Sequence, residues 1–294
     1  MLNSKKSVLI SGASGLLGSR FCAHYKNQGN FVGAIYRSKT PSNFDIKYKI
    51  DLSNRDQLAR ISESYDLIIN CAGFTNVEAN EMYPERSWSD NVVVATNLSD
   101  FSRSHNTKFV HISTDHFDSR LKSPRSELAD IFPVNQYGYA KIEAEKTILN
   151  FNQDALVIRS NFFGRSKLSS GSLLDWILNQ IQEKKTIKGY SDVYFSPLSI
   201  EVLMQSIDEL INKNLFGIYS LGSRDVVSKL DFIKLIYQHL GLDENLVLES
   251  SVDFSPTLIK RPKFMALDSG KYERELKLSM PKVEDMLKSE LMLN

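Results

Sequence analysis

The chain has 294 residues and only two cysteines, Cys22 and Cys71, both in apolar segments. A disulfide framework is excluded, and both cysteines read as buried free thiols. No excess of one charge is present either. Lysine and arginine total 36 and acidic residues 35, for a formal net charge of +1. That balance removes the electrostatic case for a nucleic-acid partner or an anionic membrane surface. Long apolar runs are missing. Ser7-Val8-Leu9-Ile10 follows the first residues at once and gives way to glycine-rich sequence, so it is too short for a signal-peptide core. Nothing further along is long enough to span a bilayer. Low-complexity tracts, repeats and blocks of like charge are also absent. The five histidines, His24, His105, His111, His116 and His239, show no metal-ligand spacing, so no metal is expected. A cytoplasmic location follows from these absences taken together.

What is present is an alternation. Ser7 to Ile10, Phe31 to Tyr36, Leu67 to Asn70, Lys108 to Ser113, Ala155 to Arg159 and Gly217 to Leu221 read as strands. Helical spacing falls over Leu16 to Gln28, Arg55 to Glu63, Ser87 to Ser104, Tyr137 to Leu149, Leu173 to Glu183, Ile200 to Asn212 and Lys229 to Leu240. This order predicts an α/β chain, a Rossmann-type doubly wound parallel sheet with a smaller C-terminal lobe. Residues 1–160 are read as an NAD(P)-binding Rossmann domain. Residues 161–294 are read as a substrate-binding lobe interleaved with the last sheet strands, entered through the serine- and glycine-rich stretch Ser166 to Ser172. Trp176 is expected to pack inside that lobe.

Ser11-Gly12-Ala13-Ser14-Gly15-Leu16-Leu17-Gly18 lies between the first strand and the first helix. Glycines there let the backbone approach a pyrophosphate, and the helix start offers unpaired N–H groups. Gly12, Ser14, Gly15, Leu16 and Leu17 are thus candidate cofactor contacts. A turn with glycines kept for packing is the plainer alternative. The second strand ends in Arg37 where an NAD enzyme carries an acidic residue. A guanidinium there suits the 2′-phosphate of NADPH, which makes NADPH the preferred cofactor and NADH the alternative. A solvated loop arginine is the competing reading. Asp51 and Leu52, after a third strand-like segment, are placed to meet the adenine, or to make a turn.

Tyr137 and Lys141 are four residues apart on one predicted helix, and so share a face. A lysine ammonium beside a phenol favours the phenolate and lowers a pKa ordinarily about 10. Such a tyrosine can act as general acid in a carbonyl reduction. Upstream, the strand from Lys108 ends in Ser113 and Thr114, and the C-terminal ends of parallel strands are where such sheets bind ligands. Alternation along the strand predicts that only one of the two hydroxyls points inward.

In this order and spacing, the glycine turn, Asn70-Cys71-Ala72-Gly73, Ser113-Thr114-Asp115 and Tyr137-x-x-x-Lys141 resemble the extended short-chain dehydrogenase/reductases. Within them the resemblance is strongest to the dTDP-4-dehydrorhamnose reductase branch. It is carried by Asn70 to Glu81, His111 to Asp115, Asn135 to Glu145 and Arg261 to Asp268, and runs over nearly the whole chain. The resemblance implies a Thr114, Tyr137 and Lys141 catalytic triad, with Asn91 supporting it. It places Cys71, Ala72 and Gly73 along the cofactor. It puts Thr75, Asn76, Thr114, Asp115, His116, Asn161, Phe162 and Ser196 beside a nucleotide-sugar substrate, and it implies a homodimer.

The chain departs from that branch at His116, where the rhamnose enzymes carry an aromatic run. It departs again at Arg159 to Gly164, which lacks a tryptophan, and at Phe264 in place of asparagine. These lie in the stretches that set sugar and base. A dehydratase is disfavoured because no carboxylate follows Asp115. An epimerase of the same superfamily and a non-catalytic NADP-binding regulatory subunit are the remaining alternatives.

Overall fold

The computed structural model describes residues 5–119, 121–166, 171–254 and 259–292. The first four residues and 167–170 of the serine-rich stretch lie outside the described residues. The chain divides into two compact units. Unit 1 holds residues 1–113, 136–158 and 215–218, and unit 2 holds 114–135, 159–214 and 219–294.

The first part of the chain runs β1 (Ser7–Ser11), α1 (Leu16–Asn27), β2 (Phe31–Tyr36), β3 (Ile46–Lys49), β4 (Leu67–Asn70), α2 (Val77–Met82), α3 (Pro84–Trp88), α4 (Val94–Ser104), β5 (Lys108–Ile112), α5 (Gln136–Phe151) and β6 (Leu156–Ser160). The remainder runs β7 (Phe162–Phe163), α6 (Leu173–Gln182), β8 (Ile187–Tyr190), β9 (Tyr194–Phe195), β10 (Leu198–Ser199), α7 (Ile200–Asn212), β11 (Gly217–Leu221), β12 (Val227–Ser228), α8 (Lys229–His239), β13 (Val247–Ser250), α9 (Gly270–Leu276) and α10 (Val283–Met292).

A seven-stranded sheet has the order β11-β6-β5-β4-β1-β2-β3. The five pairs from β6 across to β3 are all parallel. Such strands are covered on both faces, which is why Val8, Leu9 and Ile10 are apolar without alternation and all fully buried. α1 buries Leu17, Phe21 and Tyr25, the stripe expected of an amphipathic helix. One core cluster joins Leu9, Ile35, Ile68, Leu98, Phe109 and Ile148. The strand order reverses at β1, which lies between β2 and β4. In open α/β sheets that reversal leaves a crevice beyond the strand ends.

Unit 2 is built differently. Its ladders are two-stranded and short: β10 with β7, β12 with β9, and β13 with β8. Phe232 of α8 packs edge-on against Phe163 and Phe195, with ring centroids 5.2 and 5.5 Å away. Ser172 and Ser228 each close a capping box at the start of α6 and α8.

Three expectations are corrected. The helix predicted over Arg55 to Glu63 is a six-residue 3-10 turn, Arg55–Arg60, because Ile61 turns back into the core after a single apolar anchor, Leu58. The single helix predicted over Ser87 to Ser104 begins earlier, with α3, and is interrupted by a wide π-type turn, Ser89–Val93. Trp176 is 45% exposed rather than packed. Leu174 and Ile177 carry the buried face of α6, and Trp176 falls off that stripe. Among the described residues no helix is long and apolar enough to cross a membrane.

Candidate functional site

In unit 1 a cavity of about 250 Å³ opens at the strand-order reversal. Gly12, Ser14 and Gly15 after β1, Arg37 and Ser38 after β2, and Cys71, Ala72 and Gly73 after β4 line it. Asp51 and Leu52 also line it. Gly12 has φ +61, and a Cβ there would stand 2.8 Å from the backbone of Cys71 and Ala72. Only glycine lets these two chain segments meet so closely. Leu16 and Leu17, also expected at the cofactor, start α1; Leu17 belongs to the core.

Asn91 lies in the wide turn and is nearly inaccessible. Its Oδ1 accepts from Phe74 N at 2.9 Å, and its Nδ2 donates to Phe74 O and Asn80 Oδ1. It therefore fixes the backbone that follows Gly73. Asp51 makes a turn, its Oδ1 accepting from the backbone N–H and hydroxyl of Ser53. Arg37 is in a two-pronged ion pair, its Nη1 and Nη2 donating to Asp90 Oδ1 and Oδ2 at 2.8 and 3.1 Å. Asp90 also lines the cavity, and the sequence reading missed it. Its partner is 53 positions away, and the turn that aims it is invisible to periodicity.

Tyr137 and Lys141 lie one turn apart on α5, both buried. The helix start is held by Glu81, whose Oε2 accepts from Gln136 N at 2.8 Å. Lys141 Nζ donates to Ile112 O at 2.8 Å and stands 3.2 Å from His111 Nε2. Burial pushes this lysine down to about 8, with Glu145 acting in the other direction. His111 Nδ1 is 3.0 Å from Asn70 Nδ2, and Asn70 Oδ1 accepts from Ser11 Oγ and Ala72 N. A buried polar line thus crosses β1, β4 and β5 to reach Lys141. Burial, and then the neighbouring Lys141, hold His111 well below its usual value, so it is neutral.

Ser113 and Thr114 are both buried. β5 ends at Ile112, and the Ser113 N–H still donates to Ile158 O of β6 at 2.7 Å. The Ser113 hydroxyl donates to Glu145, within unit 1. Thr114 opens a segment of unit 2, where its Oγ1 accepts from His116 N.

In unit 2, Asn161 Nδ2 donates to both carboxylate oxygens of Asp115 at 3.0 and 3.1 Å. Burial pushes Asp115 up to about 6, against Lys229 and Arg125. His116 is buried, with Nε2 2.9 Å from Asn135 Nδ2. The Ser196 hydroxyl accepts from Leu267 N at 2.9 Å. Phe162 is half-buried in β7. Thr75 and Asn76 belong to unit 1, where Asn76 caps α2 by accepting from Ala79 N. Among the described residues no group of His, Cys, Asp or Glu has the arrangement of a metal site.

The family profile described as "RmlD substrate binding domain" matches residues 6–292. The chain belongs to the RmlD substrate binding domain family. Among similar proteins, a probable low-salt glycan biosynthesis reductase of Haloferax volcanii is 27% identical over 285 residues, covering 95% of each chain. A dTDP-4-dehydrorhamnose reductase of Mycolicibacterium smegmatis is 26% identical, covering 89% of this chain and 78% of that one. A solved dTDP-4-dehydrorhamnose reductase of Bacillus anthracis, in complex with NADP, has the same fold, with a TM-score of 0.86 at 23% identity over 99% of this chain and 100% of that chain. The family's doubly wound α/β architecture is therefore that of this chain.

Proposed function

We propose that the protein is an NAD(P)H-dependent reductase acting on the 4-keto group of a nucleotide-linked 4-keto-6-deoxy sugar, converting dTDP-4-dehydrorhamnose to dTDP-rhamnose. The observation that carries this reading is an intact Tyr137-x-x-x-Lys141 helix, in the same unit as a glycine-lined cavity, in a chain similar over 89–95% of its length to reductases.

The residues present suit a nicotinamide dinucleotide. Gly12 admits the close backbone approach that a Cβ would fill, and the unpaired N–H groups at the start of α1 favour a pyrophosphate. Cys71, Ala72 and Gly73 form the wall after β4, and Arg37 and Asp51 the far rim. When bound, the reduced nicotinamide supplies the hydride. The chain's own residues handle the proton. Tyr137 gives its phenolic proton to the carbonyl oxygen, and Lys141 keeps that phenol poised to do so. Thr114 holds the carbonyl, and Asp115, His116, Asn161, Phe162 and Ser196 belong with the sugar and its nucleotide.

The test is to generate the dTDP-4-keto-6-deoxy sugar in situ, with and without a 3,5-epimerase, and to follow NADPH absorbance with wild type and Tyr137→Phe. Oxidation that needs the epimerase and is lost in the variant is the expected result. Oxidation without the epimerase assigns a different 4-keto-6-deoxy sugar. Cofactor binding with no oxidation in either case overturns the reductase reading, in favour of an epimerase or a regulatory subunit.

A further inference from the structure

The end of β2 carries Arg37 where an acidic residue would receive the adenine ribose hydroxyls. The fold supplies a carboxylate at that place from elsewhere in the chain. Asp90, in the turn Ser89–Val93, lines the same cavity and takes both terminal nitrogens of Arg37. Its side chain is only 10% exposed, against 53% for Arg37. Arg86 holds it from the other side, with Nε 3.3 Å from Asp90 Oδ2 and its own guanidinium 4.4 Å above the Phe74 ring. Both Asp90 oxygens are thus fixed in direction.

We propose that Asp90 is the specificity-determining residue of the cofactor cavity, competing with an adenosine 2′-phosphate for Arg37, so that the cavity takes NADPH and NADH with similar affinity. The inference rests on reading that cavity as the NAD(P) site. A phosphate monoester binds a guanidinium best through the same two-pronged fork that Asp90 occupies. To reach it, the phosphate must displace a carboxylate or lie beside one, and the like charge opposes both. A free 2′-hydroxyl meets no such opposition and can donate to Asp90. Discrimination is therefore set by a residue placed against the phosphorylated ligand, alongside the arginine that attracts it.

The experiment is calorimetric titration of the purified full chain with 2′,5′-ADP and 5′-ADP. It compares wild type, Asp90→Asn, Arg37→Ala and the double variant, with thermal unfolding to check the fold. In wild type the two dissociation constants should agree within about tenfold. Asp90→Asn should tighten 2′,5′-ADP by about five- to fiftyfold, without tightening 5′-ADP, because the fork is released. That gain should vanish in the Arg37→Ala background. Asp90→Ser repeats the test with a side chain too short to hold the fork. A ratio that stays within about twofold of wild type in both Asp90 variants overturns the inference, as does a wild type that already favours 2′,5′-ADP more than about a hundredfold. Failure of wild type to bind NADPH or either fragment overturns the cofactor reading itself, which is a distinguishable result.

Discussion

The two units each hold a lysine that burial pushes down to about 8, and the company of each is different. In unit 1, Lys141 is hydrogen-bonded to a strand-end carbonyl and faces a neutral imidazole, at the end of a polar line through three strands. In unit 2, Lys229 stands 3.2 Å from the centre of the Phe195 ring and is drawn by Asp115, whose own carboxyl is pushed up to about 6. The first lysine is set in a line of hydrogen-bonded polar groups. The second is set against an aromatic ring, one carboxylate and the like charge of Arg261. Depressed basicity alone does not mark a catalytic group; the partners decide.

Replacing each lysine by methionine should separate the two roles, and this is the largest effect expected. Lys141→Met should lower kcat by about 10²–10⁴-fold, the range of a lost acid–base function, with the fold retained. Lys229→Met should leave kcat within about tenfold and lower stability by about 1–3 kcal/mol, since Asp115 loses a cation in a buried setting. Steady-state kinetics and urea unfolding read the two outcomes, and equal kinetic losses would erase the distinction. The same residues set a pH signature. A lysine at about 8 in the fold and 10.5 when unfolded binds fewer protons in the native state between those values, so stability rises with pH across that window. Asp115, raised from 3.8 to about 6, has the opposite sign, and stability falls as pH rises through that range. Asp115→Asn should remove this acid-side contribution and, because Asp115 favours the Lys229 ammonium, widen the alkaline window on its low-pH side, measured by thermal unfolding at fixed ionic strength.

Two left-handed glycines offer a second contrast. Gly12 in unit 1 and Gly241 in unit 2 have nearly equal φ, +61 and +64, but a Cβ at Gly241 meets nothing within 4 Å. Gly241→Ala should therefore carry only the conformational penalty of about 1–2 kcal/mol. Gly12→Ala adds a collision with the Cys71–Ala72 backbone and should exceed that by about 1–3 kcal/mol, or part the strands enough to weaken NADPH binding. Denaturant midpoints compare the folds, and cofactor fluorescence reads the site.

The same contrast explains what the sequence made legible. Parallel buried strands are apolar runs and their helices carry a clear stripe, so β1, β2, β4 and α7 lie where periodicity puts them. Local chemistry such as the turn at Gly12 and the spacing of Tyr137 and Lys141 is likewise written in adjacent residues. The short ladders of unit 2 are two to four residues long, below what any alternation can signal. Asp90 was missed because its meaning depends on a π-type turn and on an arginine 53 positions away.

The smallest effect concerns His111, and it tests whether the polar line acts on Lys141 at all. The Ala72 N–H fixes which end of the Asn70 amide is its oxygen, so Nδ2 is turned to His111 Nδ1. A neutral imidazole accepting there must carry its proton on Nε2, and that N–H faces Lys141 Nζ at 3.2 Å. An ammonium cannot accept that proton, whereas a neutral amine can. The imidazole therefore adds to burial in favouring the neutral lysine. Cys71 and Glu145 are the other titratable groups acting on Lys141, and both favour the ammonium. His111→Gln, with the amide oxygen turned to Lys141, removes the opposed N–H and should move the kcat limb belonging to Lys141 upward by about half a pH unit. Kcat at its optimum should change less than about threefold, since no group touching the substrate is lost. A pH profile unchanged in His111→Gln would reduce the line through Ser11, Asn70 and His111 to a means of joining strands.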